Sequence, residues 1–519
     1  MSSDNFTTWQ PRFNDPVLST RIAFSVPAAV LIFVLFTYLR GLYRVYLHPL
    51  SNFPGPREAA KSHSWLYQQT RKDYPEDIYE QIHHKYDAKA IRIAPNELHI
   101  TDTNLYKVIY RQSNPFPKNE PFYLAFNAPS PTVFTEMDEA KHKERRRMLN
   151  PMFSRAGVLK LEDLIRERLA LLESKIERLR EKQNIDFYDA FRLLTTNIIM
   201  EFCFADSRGM LEEQPDSFKS QFLTAFSVAA SALKTLQHYP LLRIVSNAIP
   251  VGLLKVVSPE LGNLIHLTDV SSSWSKDFFK PIVEAVPEFL EFKAVNHPIV
   301  LENLTSLSDV ALVGESLDLL VAGSDTSATS VTTALFEILR NPAIEKRLVE
   351  ELDAAIPEKN DLPPLQTLEK IEYLTACVKE GIRLASAVPS RLPRIVPHNL
   401  SEPLVVDGKI VPPGTIVSMS AHTMHSSVDI WGPDARLFNP NRWLGSDAKG
   451  LDQYQVAFSK GARMCIGQNL VPVELTLILA SILRKYKITF PSGFLPPRRV
   501  DNFTVELEGG LPLQVSPRA

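Results

Sequence analysis

A segment of ten residues near the C-terminus constrains this chain more than any other part of its sequence. In FSKGARMCIG (458–467), a cysteine, Cys465, is flanked by Gly461 and Gly467. Glycines let backbone N–H groups approach a sulfur atom, and such hydrogen bonds, together with positive charge, favour the thiolate that binds metals. The alternative is that Cys465 is a small buried apolar residue, as isolated cysteines commonly are.

The composition predicts a globular protein without a disulfide framework. Of the 519 residues, 45% are hydrophobic and 22% are charged, and the net charge of −2 gives no general attraction for nucleic acid. The chain has three cysteines and no Cys-x-x-Cys pair, so neither disulfides nor a zinc site are indicated. Cys203 and Cys377 lie in apolar helical patterns and are predicted core residues. Cys465 is therefore the cysteine left for chemistry, in a reducing compartment.

The N-terminal part of the chain predicts a membrane anchor. Between Arg21 and Arg40, 18 residues carry no charge, which is near the minimum for a membrane-spanning helix. The alternatives are a cleaved signal peptide and a buried core helix. Basic residues after the span favour a cytosolic body and a lumenal tail, which would place the glycosylation sequon at Asn5 in the lumen. We therefore predict a lumenal tail at 1–21, a transmembrane helix at 22–39, a proline-rich hinge at 40–56 and one folded domain at 57–519.

The domain is predicted to be mostly helical, with short strands near 90–101 and 404–417. Its best helix runs from about Ser308 to Arg340, because Pro342 cannot continue it. The middle of this helix, AGSDTS (322–327), contains a glycine that costs about 1 kcal/mol relative to alanine. A hydrogen bond from Thr326 to the carbonyl of Ala322 would bend the helix there. The segment predicts a local notch with a proton source, and the alternative is a plain core helix.

Together these segments resemble the cytochrome P-450 family of haem-thiolate monooxygenases. The cysteine-ligand pattern of that family is Phe-x-x-Gly-x-Arg-x-Cys-x-Gly, and every fixed position matches, at Phe458, Gly461, Arg463, Cys465 and Gly467. The resemblance implies the P-450 fold, mainly α with small β-sheets, and haem b with Cys465 as the axial ligand of its iron.

The notch in the long helix resembles the oxygen-binding groove of the same family. In that groove an acid–threonine pair supplies protons for the cleavage of dioxygen. The resemblance therefore implies catalytic roles for Asp325 and Thr326, and it places Ala322 and Gly323 at the cofactor.

A helix predicted at about 367–384 contains Glu380 and Arg383, which share one face at i,i+3 spacing. Downstream, FNPNRW (438–443) resembles a family motif, with Asn441 where glutamate is usual. The resemblance implies that Glu380, Arg383 and Arg442 form a buried ion triad. The alternative for Glu380 and Arg383 is an exposed surface pair of little energetic value.

Haem carries two propionates, and the resemblance supplies cations for them. Arg463 matches the arginine of the cysteine loop, and Arg394 follows the Glu-x-x-Arg helix at the family position. In HKERRR (142–147), His142 replaces the tryptophan that is usual in the family, and Arg146 matches the arginine. Lys141, Lys143 and Arg147 are expected to face water.

Electrons are expected to come from another protein, because little chain follows Cys465 and no Gly-rich dinucleotide motif occurs. The resemblance implies an NADPH-dependent flavoprotein reductase on the same membrane, with cytochrome b5 as a second donor. An acidic partner would dock on the basic face of the HKERRR helix. The implied location is the endoplasmic reticulum membrane, with a single span and a cytosolic catalytic domain.

The expected substrate is a bulky hydrophobic molecule that arrives from the membrane. Aromatic residues between 115 and 134, a C-terminal turn at 509–512, and Val321, Ala322 and Val388 predict an apolar pocket. Several phrases resemble filamentous-fungal members of secondary metabolism, similar to trichodiene oxygenases, and a terpenoid, polyketide or fatty acyl substrate stays open. Arg391 either meets a substrate carboxylate or caps a strand. The alternative functions are a haem-thiolate isomerase or dehydratase, and a haem-binding protein without turnover.

Overall fold

Helices make up most of the chain in the computed structural model, which describes residues 16–126, 130–206, 209–239, 295–446 and 448–518. Asn5 and most of the predicted lumenal tail lie outside these residues. The first group of helices is α1 Pro16–Tyr46, α2 Arg57–Lys61, α3 Ser64–Thr70, α4 Pro75–Tyr86, α5 Tyr106–Ile109, α6 Glu120–Tyr123, α7 Glu139–Phe153, α8 Arg155–Leu159, α9 Glu162–Leu179, α10 Phe187–Phe204 and α11 Gln221–His238.

The second group lies in the C-terminal half of the chain. It comprises α12 Asp309–Leu339, α13 Pro342–Ala355, α14 Leu365–Leu368, α15 Glu372–Ala385, α16 Ala421–Ser426, α17 Val428–Trp431, α18 Ala448–Leu451 and α19 Leu470–Lys485. Short 3-10 turns join these helices at Thr103–Leu105, Leu124–Phe126, Val300–Leu304, Pro440–Trp443, Asp452–Tyr454, Gly461–Arg463 and Ile466–Asn469.

Small sheets complete the fold, as predicted. The largest described sheet has the order β1-β2-β7-β4, and β2 runs parallel to β7 while the other pairs are antiparallel. The strands are β1 Ala90–Ala94, β2 Glu97–Ile100, β3 Ile185–Asp186, β4 Arg394–Ile395, β5 Val405–Val406, β6 Lys409–Ile410, β7 Ile416–Ser418, β8 Tyr486–Thr489, β9 Arg498–Asn502, β10 Thr504–Glu508 and β11 Pro512–Pro517.

The long helix α12 is the centre of the domain and confirms the prediction for 308–340. Ser308 caps its N-terminus by accepting a hydrogen bond from the N–H of Ala311, and Pro342 begins the next helix. It packs on α10, α15 and α19. The helix predicted at 367–384 is shorter than expected, because the chain turns between α14 and α15 and Thr375 bonds the carbonyl of Glu369 at 3.1 Å.

The N-terminal helix α1 includes the predicted span and continues to Tyr46, since no proline follows Pro27 until Pro49. Its residues Ala28–Tyr46 are long and apolar enough to cross a membrane and are not buried. The first part of the predicted hinge is therefore helical. The rest packs on the domain, with Leu50 and Phe53 buried. A second apolar stretch, Ile466–Lys485, passes the same length test but is mostly buried, as expected for a core helix.

Candidate active site

The cysteine loop is closed by hydrogen bonds of its own backbone. The N–H of Cys465 donates to the carbonyl of Phe458 at 2.8 Å, and the N–H of Met464 donates to Gly461 at 3.1 Å. Gly461 has φ +72°, and a Cβ at this position would lie 2.4 Å from the carbonyl oxygen of Tyr110. Only glycine permits this close contact, which seats the loop against the segment after α5.

The thiol of Cys465 differs from the other two cysteines in exposure and in partners. Cys203 and Cys377 are fully buried, which confirms them as core residues, whereas Cys465 is exposed. The backbone N–H of Gly467 and the charge of Arg146 both lower the pKa of Cys465, as the sequence predicts. Although its surface is accessible, the sulfur lies deep among protein atoms; this desolvation has a larger effect and raises the pKa above its ordinary value, so the thiolate requires further positive charge.

A short stretch of α12 is exposed although most of the helix is buried. Val321 is 37% exposed and Ala322 is exposed as well. Asp318, one turn earlier, lies close enough to Cys465 to raise the pKa of that thiol. This part of the helix therefore lies near the sulfur. The predicted hydrogen bond within the notch is present, from Thr326 Oγ1 to the carbonyl of Ala322 at 2.7 Å.

Asp325 does not share the notch with Thr326, in contrast to the predicted acid–threonine pair. Its carboxylate is buried and accepts two hydrogen bonds from Arg192 of α10, at 2.7 and 3.1 Å. Arg192 also donates to Ser227 of α11 at 3.2 Å. Adjacent residues of a helix point in different directions, about 100° apart, so Thr326 and Asp325 cannot have the same surroundings.

Gly323 packs against α10 on the side where a side chain would extend, and its assignment to the cofactor stays a prediction. A Cβ at this position would lie 2.6 Å from Cγ1 of Ile199 on α10. Thr195 of the same helix donates to the carbonyl of Ser324 at 2.7 Å. The glycine is therefore needed for the close packing of α10 against α12.

The three residues of the predicted ion triad are in contact. Glu380 accepts two hydrogen bonds from Arg383, each 2.8 Å long, and one from Arg442 at 3.0 Å. Glu380 and Arg383 have no exposed surface. Arg383 also donates to the carbonyls of His425 and Ala435, both at 2.6 Å. These hydrogen bonds connect α15 with α16 and with the segment that follows it. The alternative of an exposed surface pair for Glu380 and Arg383 is therefore wrong.

The residue that departs from the family motif lies outside this triad. Asn441 accepts a hydrogen bond from Arg347 of α13 at 3.0 Å. Trp443 instead adds a donor to Glu380 at 2.8 Å. The substitution therefore changes a contact with a neighbouring helix and leaves the buried charges in place.

Four basic side chains from separate parts of the chain lie close to one another, and their hydrogen-bond partners are neutral groups. Arg394 donates to Tyr123 and to the carbonyl of Pro393, Arg463 donates to the carbonyl of Glu136, and Arg146 donates to that of Met464. Lys118 donates to the carbonyl of Phe134. Within the described ranges, none of the four forms an ion pair with a carboxylate.

The charges of this cluster act on one another. Burial and the charges of Arg394 and Arg463 hold the pKa of Lys118 well below its usual range. Burial and Arg394 lower the pKa of Arg463 to about 10. His142 is buried, and burial with the neighbouring Arg463 lowers its pKa to about 3, so its imidazole is neutral at physiological pH. Buried cations that repel one another are stabilised by an anion placed among them.

The rest of the basic helix α7 behaves as predicted. Lys141, Lys143 and Arg147 are exposed. Arg145 is not, because its guanidinium bonds Glu315 of α12 at 2.6 Å. Arg391 forms a buried ion pair with Glu97 at 2.6 Å, which supports the structural alternative for this residue.

Aromatic side chains cover one side of the site. Phe122, Phe126 and Phe134 lie in the predicted 115–134 segment, and all three contact Phe503 of the β9–β10 turn, with ring centroids 4.5 to 6.4 Å apart. The predicted wall at 509–512 is wrong, since Leu511 is fully buried and a Cβ on Gly510 would collide with Asp186. The C-terminal contribution comes from Phe503.

Comparison with known proteins identifies the family. A family model described as "Cytochrome P450" matches residues 56–507. The chain belongs to the cytochrome P450 family. It is 32% identical to cytochrome P450 monooxygenase sdnE of Sordaria araneosa, over 86% of this chain and 89% of that protein. It is 31% identical to the fusicoccadiene C-8 hydroxylase of Alternaria brassicicola, over 87% and 88%.

The name of a third relative states a different kind of substrate. The N-acetyltryptophan 6-hydroxylase ivoC of Emericella nidulans is 29% identical, over 91% of this chain and 93% of that protein. These fungal relatives are monooxygenases or hydroxylases, and the present chain is accordingly a cytochrome P450 monooxygenase, an oxidoreductase with a haem-thiolate cofactor. As a member of this family it takes its electrons from a redox partner and acts on small molecules.

The residues of this cytochrome P450 fit a haem. The thiol of Cys465 lacks the positive charge that an iron ion would supply, because a metal deprotonates a thiol that coordinates it. The basic cluster of Lys118, Arg146, Arg394 and Arg463 has no carboxylate partner in the described part of the chain, and the two propionates would provide such partners. The thiol and the four cations are therefore the groups that a haem of this family would bind, through its iron and through its propionates.

Sequence reasoning missed two residues of the site. Lys118 is an isolated lysine in a proline-rich segment, and no pattern distinguishes it from a surface lysine. Arg192 gave a clearer signal, since it is a lone cation in the apolar helix α10 and so required a buried partner.

Proposed function

We propose that this cytochrome P450 is a membrane-anchored monooxygenase that inserts one oxygen atom from dioxygen into a hydrophobic small molecule of fungal secondary metabolism. A terpenoid or polyketide is the proposed substrate class. The observation that carries the proposal is the cysteine loop, whose exposed thiol lies near the exposed stretch of α12 and the unpaired cations. The names of the fungal relatives, among them a fusicoccadiene hydroxylase, support the substrate class.

We assign the binding of haem b to residues of both walls of the site. Cys465 would hold the iron, and Phe458, Gly461 and Gly467 shape its loop. Ala322 offers a small side chain on α12. The propionates would meet cations and a neutral imidazole, from Lys118, His142, Arg146, Arg394 and Arg463. Haem bound in this way would supply the activation of dioxygen and the transfer of one of its atoms.

The protein's own contribution to the reaction is the control of protons. The hydroxyl of Thr326 lies in the notch, donates its hydrogen to the carbonyl of Ala322, and can accept a hydrogen bond from a water molecule there. Asp325 is held by Arg192, so its carboxylate can reach the notch only when that ion pair opens. We therefore assign Thr326 a direct role and Asp325 an indirect one.

The proposed electron donor is an NADPH-dependent flavoprotein reductase, with cytochrome b5 as a second donor. Lys143 and Arg147, one turn apart, form an exposed basic face on α7, and Lys141 is exposed in a different direction. The same helix contacts the cysteine loop through Arg146 and Met464. An acidic partner that docks on this face would approach the side of the site that carries the cysteine loop. The attraction between opposite charges would mainly increase the rate of association.

The proposed location is the endoplasmic reticulum membrane, with α1 as the single span and the domain in the cytosol. Support comes from the exposed apolar segment Ala28–Tyr46 and from the basic residues that end it. Asn5 would then lie in the lumen.

Reconstitution tests this function against its two alternatives. The purified full chain is combined with a fungal reductase, NADPH and a mixture of candidate terpenoids and polyketides, with and without dioxygen. We expect a product that carries one oxygen atom from isotope-labelled dioxygen. Product formed without dioxygen would support an isomerase or dehydratase. Substrate binding without any product would support a haem-binding protein.

A further inference from the structure

A cluster of three side chains that can bind metals lies where α4 packs on α16. Asp77 and Glu80 lie one turn apart on α4, and His422 belongs to α16. One oxygen of each carboxylate and one nitrogen of the imidazole lie within 4.8 Å of one another. None of the three residues is assigned to the haem or takes part in the proposed reaction.

The imidazole of His422 is the buried member of this cluster. It is 6% exposed, and Nε2 forms no hydrogen bond with any described residue. Nε2 nevertheless lies 3.4 Å from Oδ1 of Asp77 and 3.2 Å from Oε1 of Glu80. Buried polar atoms are nearly always satisfied, so a nitrogen that lies between two carboxylates and bonds neither indicates a missing partner.

The distances between these atoms match the ligands of a metal better than a hydrogen-bonded ion pair. Charge-assisted N–H···O bonds are about 2.7–2.9 Å long. A tetrahedral zinc ion with bonds of about 2.0–2.1 Å keeps its ligand atoms about 3.3–3.4 Å apart. In such a site the metal lies on the axis of the nitrogen lone pair, and the other ligand atoms lie beside this axis. A hydrogen on Nε2 would point between the two carboxylates in the same way, which explains why it bonds neither of them.

The neighbours of the cluster orient its ligand atoms. Arg436 pairs with Oε2 of Glu80, which leaves Oε1 for the ion. Nδ1 of His422 lies 3.4 Å from the hydroxyl of Tyr74, which also accepts a hydrogen bond from Arg499 at 3.0 Å. Histidines that bind metals nearly always donate their second N–H to a neighbouring group, and this bond keeps the lone pair on the nitrogen that faces the metal.

A proton on Nε2 is the competitor of a metal at this position. Burial lowers the pKa of His422, but the carboxylates of Asp77 and Glu80 raise it by more, so the pKa lies above its ordinary value. The same two carboxylates attract a divalent cation, which displaces the proton and can bind both oxygens at once.

We propose that Asp77, Glu80 and His422 bind a zinc ion that links α4 to α16. Zinc accepts imidazole and carboxylate ligands together, whereas magnesium and calcium prefer oxygen ligands alone. The side chain of Asp77 is half-exposed, so zinc can enter from solvent and a water molecule can complete the tetrahedron. Within α16, the carbonyl of His425 accepts a hydrogen bond from Arg383 of the buried triad, so the ion would stabilise a helix that holds the triad. This inference involves neither haem nor substrate and does not depend on the proposed function.

The test measures zinc binding to the haem-loaded full chain after a chelator has removed other metal ions. Equilibrium dialysis gives the zinc bound per chain, with magnesium and calcium as competing ions. We expect one zinc ion per chain that a large excess of either competitor does not displace. X-ray absorption at the zinc edge should show nitrogen and oxygen ligands at about 2.0–2.2 Å and no sulfur at about 2.3 Å.

The variant Asp77→Asn removes one charged ligand and leaves the buried imidazole in place. We expect it to weaken zinc binding at least about tenfold, since even the loss of a group that only orients a ligand has such an effect. Asp73→Asn is the matched control, because the two aspartate side chains are 54% and 52% exposed and Asp73 pairs with Arg498 instead. Zinc should raise the unfolding temperature of the wild type and of Asp73→Asn, and much less that of Asp77→Asn.

Three results would overturn the proposal. One is a zinc affinity that is the same in Asp77→Asn and Asp73→Asn. The second is a wild type that binds no zinc at about 0.1 mM free ion, which would show that His422 keeps its proton and forms an ion pair only. The third is a zinc ion with sulfur ligands, which would place it elsewhere in the chain. The last two results decide the question even if Asp77→Asn does not fold.

Discussion

Thr326 and Asp325 are neighbours in the sequence, but only the hydroxyl belongs to the notch in α12. Thr326 bonds the carbonyl four residues earlier, and Asp325 is buried against Arg192. The side chain that can act directly on a proton at the cofactor is therefore the smaller one. At this scale the order of residues indicates a function, and the direction of each side chain decides which residue performs it.

Replacement of this threonine should separate oxygen consumption from product formation. For Thr326→Ala we expect about tenfold or more less product per NADPH consumed, since positioned proton transfer contributes roughly 10²–10⁴-fold to rates. The haem content should not change. Thr332→Ala is the matched control, because Thr332 makes the same type of bond, to Ala328 at 2.7 Å, in a fully buried part of α12. If both variants form the same amount of product per NADPH consumed, Thr326 has no role in proton transfer.

The buried triad is the second residue-level feature with a measurable consequence. Removal of the charge in Glu380→Gln leaves Arg383 and Arg442 without their shared partner, and we expect a loss of about 3–5 kcal/mol in stability and poor haem retention. The control is Glu337→Gln, which breaks an i,i+3 pair with the half-exposed Arg340, the residue that follows α12. That change should cost less than about 1 kcal/mol. Similar thermal shifts for the two variants would contradict the structural role of the triad.

At the level of elements, α12 is held to α19 by a buried carboxyl group. Glu474 has no exposed surface, accepts a hydrogen bond from Ser327 at 2.5 Å and has one oxygen without a partner in the described chain. Burial raises its pKa to about 8. The helix that follows the cysteine loop is thus linked to the residue next to Thr326 by a carboxyl that is protonated at neutral pH.

This link predicts a pH dependence of stability. The native state holds a proton on Glu474 that the unfolded state releases near 4.5, so stability falls as pH rises from about 4.5 to about 8. Relative to Glu474→Gln, the free energy of unfolding of the wild type should decrease by up to about 1.4 kcal/mol for each pH unit in this window. Thermal unfolding of both proteins between pH 5 and 8.5 measures the difference. Parallel curves for wild type and variant would show that Glu474 ionises normally.

The positions of elements follow from the sequence better than the contacts between them. The length of α12, its serine cap and the proline after it are local signals, and the structure agrees with them. Gly323 illustrates the limit, because its neighbour Ile199 comes from a helix far away in the sequence. Lys118 illustrates it again, since its role depends on Arg394 and Arg463, which meet it only in the folded chain.

At the scale of the whole molecule, the cytochrome P450 domain brings its cysteine, its cations and its central helix together from segments more than 300 residues apart. An exposed apolar helix precedes this domain, and the proline-rich segment that joins them packs on its surface through Leu50 and Phe53. The end of α1 is therefore packed against the domain that carries the active site.

We propose that Cys465, as its thiolate, binds the iron of the haem. The most direct measurement is the difference spectrum of the reduced protein with carbon monoxide, for wild type, Cys465→His and Cys377→Ser. We expect the long-wavelength Soret band of a thiolate-bound haem for wild type and for Cys377→Ser, whose cysteine is buried in the core. For Cys465→His we expect the shorter-wavelength band of an imidazole-bound haem, or no haem. A thiolate-type band that persists in Cys465→His would contradict the assignment.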